Sequence, residues 1–119
     1  MNARAKDMPV SDQPLSERYR LAANAWVEAD AVARRLEELK TTALEQQKQA
    51  LIQERGHIPD SHAEREVKSA PGWEQYITSM VNARTAANKY KITMEVLRME
   101  ERELRDRNET IRAEMRLSR

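Results

Sequence analysis

A chain of 119 residues that is 39% hydrophobic and 34% charged supplies one domain, and at that size the core is thin. With two Gly, four Pro and no Phe the composition leans to Ala, Arg, Glu, Leu and Met, which form helices well and strands poorly, so a sheet is not expected. The absence of Cys excludes a disulfide framework or thiolate metal site and suits a reducing cytoplasm, while 21 basic against 20 acidic residues exclude attraction to nucleic acid through net charge alone.

Met1 to Pro14 carries Arg4, Lys6, Asp7 and Asp12 without an apolar run, so it reads as no secretory signal, and no later stretch is apolar enough to cross a bilayer. Pro9, Ser11, Asp12 and Pro14 predict a polar, flexible N-terminal segment over residues 1–12, with Ser11 or Asp12 capping a helix that has Pro14 in its first turn. A helix is then expected over 13–55. Its apolar positions step by four and three through Leu15, Tyr19, Ala22, Trp26, Ala29, Ala33 and Leu36, then Lys40, Ala43, Gln47 and Ala50, which is a heptad rhythm. Arg55 and Gly56 give it a basic last turn and a C-cap glycine.

In the connection, 56–72, Ser61 with Glu64 three residues later predicts a capping box and a short helix over 61–69, ended by Pro71 and Gly72. From there to the end no Pro or Gly occurs. Tyr76, Met80, Ala83, Ala87, Tyr90, Met94, Leu97, Glu101, Leu104, Asn108, Ile111 and Met115 keep the four-three step, predicting a helix over 73–117 that is roughly 65 Å long at ~1.5 Å per residue. Packed antiparallel, the two long helices make a coiled-coil-like hairpin, an all-α domain over 13–119.

Ile77, Val81, Ile92, Val96 and Met99 give the second long helix another apolar face that one partner helix does not cover. Trp73, Ile77, Val81, Ile92, Val96 and Met99 are therefore the candidate protein interface, and the chain is expected to form homo-oligomers or dock on another protein. Trp73 and Tyr76 read either as a docking or base-stacking platform or as a staple at the helix start. Met80, Met94, Met99 and Met115 suit an adaptable surface or an ordinary core.

With Ala87 and Tyr90 at a and d, each e position from Arg84 onward is basic: Arg84, Lys91, Arg98, Arg105, Arg112 and Arg119, widened by Arg102 and Arg116. This ridge fits DNA phosphates or an acidic partner. The competing reading, favoured by the intervening Glu100, Glu103, Glu109 and Glu114, is that it pairs with acidic residues of a neighbouring helix. Glu101 and Asn108 either fix register as buried polar groups or sit wet where the pair of helices frays.

His57, Asp60, His62 and Glu64 cluster near the turn, but their spacing matches no metal motif. No nucleophile–base arrangement or phosphate loop can be assembled. The expectation is a non-enzymatic protein without cofactor, metal or small-molecule substrate.

The C-terminal half resembles short all-helical proteins encoded by tailed phages and prophages and often carried among DNA recombination or replication genes. The resemblance rests on Ala63-Glu64-Arg65, Pro71-Gly72-Trp73-Glu74-Gln75-Tyr76, Ala83-Arg84 with Ala87-Asn88-Lys89, and Arg112-Ala113-Glu114-Met115-Arg116. It implies a phage-encoded accessory protein in a bacterial host cytoplasm; the expected role, beyond what the resemblance implies, is to self-associate and help assemble a DNA-processing complex through protein contacts or by presenting the basic ridge to DNA. The alternative is an inhibitor that occupies a host defence complex or nuclease.

Overall fold

The computed structural model describes residues 13–118, so the expected N-terminal segment, its caps Ser11 and Asp12, and Arg119 lie outside the described residues. The chain is all-helical: α1 (Leu15–Glu38), α2 (Lys40–Arg55), α3 (Asp60–Ser69) and α4 (Pro71–Leu117), with no strand among the described residues. Among them, too, no helix is long and apolar enough to cross a membrane.

Pro14 precedes α1 rather than sitting inside it. Its carbonyl accepts the Arg18 amide at 3.0 Å, and a proline here loses no helical hydrogen bond. The helix expected over 13–55 is interrupted at Leu39, which lies at φ −87°, ψ 0°. The physical reason is a competing donor: the Tyr76 hydroxyl hydrogen-bonds the Leu36 carbonyl, the acceptor that a regular helix would give to the Lys40 amide, and a side chain entering the ladder bends a helix. The Leu39 amide still reaches Arg35 at 3.0 Å and the Leu39 carbonyl takes Ala43 at 2.8 Å.

α2 ends as expected at Gly56, whose φ of 84° only glycine adopts freely and whose amide bonds the Ile52 carbonyl. The capping box is corrected. Pro59 occupies the N-cap of α3, its carbonyl taking His62 and Ala63, both at 3.0 Å, and no side chain caps the helix. Ser61 lies inside the first turn. Pro71 and Gly72 likewise open α4 instead of standing before it: proline holds Ala70 extended at φ −81°, ψ 148°, and is itself suited to the first helical position.

The chain divides into two compact units, one of residues 13–27 with 88–118 and one of Glu28–Ala87. In the first, Ala22 and Leu97 are buried, and Leu21, Ala22 and Ala25 of α1 line a groove with Tyr90, Thr93 and Leu97 of α4. Tyr19 contacts Arg98 and Arg18 contacts Glu100. In the second, Ala33, Ala63, Val67, Trp73 and Ala87 are buried, Leu36 meets Tyr76, and Asp30 and Glu37 meet Arg84.

The heptad positions are buried or half-buried from Leu15 to Leu36 and from Tyr76 to Leu97, apart from the exposed Tyr90. Outside those stretches the pattern fails. Past the break, Lys40 and Ala50 are exposed and Lys48, which the heptad leaves outside the seam, is buried. Every residue from Arg98 to Ser118 is exposed, including Leu104, Ile111 and Met115. Leu15 at the start of α1 shares a surface with Leu104 and Arg107, so no described part of α1 remains to cover the last turns of α4 beyond Arg107.

Candidate interaction surfaces

The second apolar face of α4 is exposed within the unit of residues 13–27 with 88–118. Ile92, Val96 and Met99 are 58%, 48% and 58% accessible. At about 3.6 residues per turn these three fall on one side of the helix, roughly opposite Tyr90, Met94 and Leu97, whose side is shared with α1. Three large apolar groups in contact with water on a charged helix form a patch that another apolar surface would cover. In the unit Glu28–Ala87, Val81 is exposed and Ile77 half-buried. Trp73 is not on the surface: it is buried and stacked on Tyr76, with ring centroids 5.7 Å apart and planes 11° from parallel. Its ring therefore lies against Tyr76 of the same helix and is not open to a partner.

The basic ridge is divided by its partners. Arg84 binds Asp30 at 2.8 Å and Glu37 through Nε at 2.9 Å and Nη2 at 2.6 Å, which raises its affinity for the proton and holds the Glu37 carboxyl below its usual range, chiefly through that hydrogen bond. Arg98 donates to the Tyr19 hydroxyl at 2.7 Å with its guanidinium 5.8 Å from the ring centroid, a cation–π geometry. Arg105 pairs with Glu101 one turn back at 2.7 Å. Lys91, Arg102, Arg112 and Arg116 are exposed; none is in a salt bridge with a described residue. Arg84 thus follows the pairing reading, whereas those four stay available to a ligand. Glu101 and Asn108 are exposed, so neither is a buried register-setting group in this chain.

The turn cluster is spread among other partners. Asp60 accepts from Lys48 at 2.9 Å, His62 meets Glu66 at 3.1 Å, and Glu64 meets Lys68 at 3.2 Å. His57 is exposed. Lys48 is the feature that sequence spacing did not expose. It is 4% accessible and joined to Glu45 at 3.0 Å as well as Asp60, and these bonds, Asp60 first, raise its pKa. The only local signal was Glu45 three residues before it; Asp60 comes near through the fold.

Comparison of the chain with protein-family models, with curated proteins and with solved structures finds no match.

Proposed function

We propose that this chain is a non-enzymatic helical adaptor of the phage accessory type, which self-associates and docks on a protein partner during DNA recombination or replication. The observation that carries the reading is the exposed trio Ile92, Val96 and Met99, set opposite the side of α4 that meets α1. The order of contacts in each unit, Tyr19 to Arg98 and Arg18 to Glu100 in one, Leu36 to Tyr76 in the other, supports an antiparallel helical hairpin as the scaffold. A long helix with one apolar side engaged and a second one wet is suited to helix-on-helix association, where side chains interlock across the contact. The phage context rests on the resemblance of the C-terminal half alone.

Light scattering on the full chain tests this. The wild type is expected to have the mass of an oligomer, and the double variant Ile92→Asp, Val96→Asp that of a single chain with its circular dichroism unchanged. Equal masses for the two proteins would remove the docking face from the account; a monomeric wild type that still captures a host defence complex or nuclease would favour the inhibitor reading.

A second reading draws on the exposed Lys91, Arg102, Arg112 and Arg116: contact with nucleic-acid phosphates. Binding would then fall steeply with salt and be lost when Arg102, Arg112 and Arg116 are changed together to Gln. The exposed Glu103, Glu109 and Glu114 oppose such contact, which makes protein docking the leading function.

A further inference from the structure

Within the unit Glu28–Ala87, α2 and α3 are fastened to each other. Buried Lys48 of α2 binds Asp60 at the start of α3, Arg55 pairs with Glu66, and Ala63 and Val67 turn their side chains inward. Each end of this pair joins the neighbouring helix through a single residue. Leu39, between α1 and α2, has φ −87° and ψ 0°, the sparsely allowed bridge region, and no side chain caps the helix that begins after it. Ala70, between α3 and α4, is extended at φ −81°, ψ 148°.

Two cross-links between α4 and α1 lie beside Leu39: Arg84 holds the Glu37 carboxylate, and Tyr76 reaches the backbone of Leu36. The Tyr76 hydroxyl, in the second turn of α4, donates to the carbonyl of Leu36 in the last turn of α1. Stacking on buried Trp73 fixes the direction of the Tyr76 ring, so the hydroxyl is aimed by its neighbour and not by chance. The Leu36 carbonyl is the acceptor whose use by Tyr76 accompanies the break at Leu39.

We propose that α2 and α3 are an arm that turns as a unit about Leu39 and Ala70, and that the Tyr76–Leu36 hydrogen bond is the catch that holds the arm in the observed setting. Hinges of this kind are single element-terminal residues that absorb a change in φ and ψ. Releasing the catch would return the Leu36 carbonyl to the Lys40 amide and let α1 run on into α2. This inference does not depend on the proposed function.

The chain has no cysteine, so spin labels can be placed singly. One pair, Gln53→Cys with Thr78→Cys, spans arm and α4; a second, Gln53→Cys with Arg65→Cys, lies within the arm. All these positions are exposed. Electron–electron double resonance on the full chain compares each pair with and without Tyr76→Phe, which keeps the aromatic stack and removes only the donor. The expected result is a second distance population for the first pair above about 10%, with the second pair and the helical content unchanged. Unchanged distances in the first pair would show that the hydroxyl holds nothing. Broadening of both pairs would show that the arm is not a unit, and loss of helicity would show a structural clamp in place of a catch; each of these overturns the proposal.

Discussion

The Arg84 guanidinium grips the Glu37 carboxylate through two nitrogens, Nε at 2.9 Å and Nη2 at 2.6 Å. This fork-on-carboxylate contact joins α4 to α1 across 47 positions of sequence, and a planar guanidinium is suited to it where a lysine is not.

The pairing carries a pH dependence. Glu37 is held below the usual carboxylate range by its hydrogen bonds to Arg84, so the folded state binds this proton less readily than the unfolded chain. Stability from the pair is present above the ordinary glutamate value of about 4.3 and is lost as pH falls toward the lowered folded value. Thermal melts between neutral and acid pH should show Tm dropping below that point. In Arg84→Met the drop should be smaller, and equal drops in the two proteins would remove Glu37 as a source.

Trp73 should be the most costly single truncation in the unit Glu28–Ala87. It is 6% accessible and packs its ring on Tyr76, so Trp73→Ala removes a large buried group at a cost of about 3–5 kcal/mol. Trp73→Phe keeps an aromatic stack and should lose much less. Denaturant titration followed by circular dichroism measures both.

Buried and exposed alanines should answer oppositely to enlargement. Ala33 is fully buried, and Ala33→Leu should destabilise by about 1–3 kcal/mol through overpacking. Ala86 is exposed on α4, and Ala86→Leu should stay within about 0.5 kcal/mol of the wild type. Comparable losses at both positions would contradict burial of Ala33 as the source of the cost.

Gly56 tests backbone strain without crowding. A β-carbon there would meet nothing within 4 Å, yet φ is 84°, so Gly56→Ala should cost on the order of 1–3 kcal/mol through conformation alone. Gly72, also with open space around it and without a positive φ, should accept alanine at no such cost, and an equal loss at the two glycines would refute the strain argument.

Much of the helical content was legible because heptad spacing and Gly56 are local signals. The seam from Leu15 to Leu36 and the apolar set from Tyr76 to Leu97 are read from one helix at a time, and so is the second face of Ile92, Val96 and Met99. The break at Leu39 was not legible, since its cause is a hydroxyl on another helix, at Tyr76. The capping box at Ser61 fitted the local code as well as Pro59 did; only the backbone of the folded turn chose between them.

The chain's own order of residues determined that it would be helical, that the helical run would stop at Gly56, and that α4 would carry two apolar sides. Period and propensity are properties of neighbours along the chain. Tertiary structure decided which charges remain available: Arg84 is taken by Asp30 and Glu37, Arg98 by Tyr19, and Lys48 is buried against Asp60, while Arg102 and Arg112 stay in water. An ion pair requires two groups within a few ångströms, and for residues far apart in sequence only the packing of one helix on another brings that about.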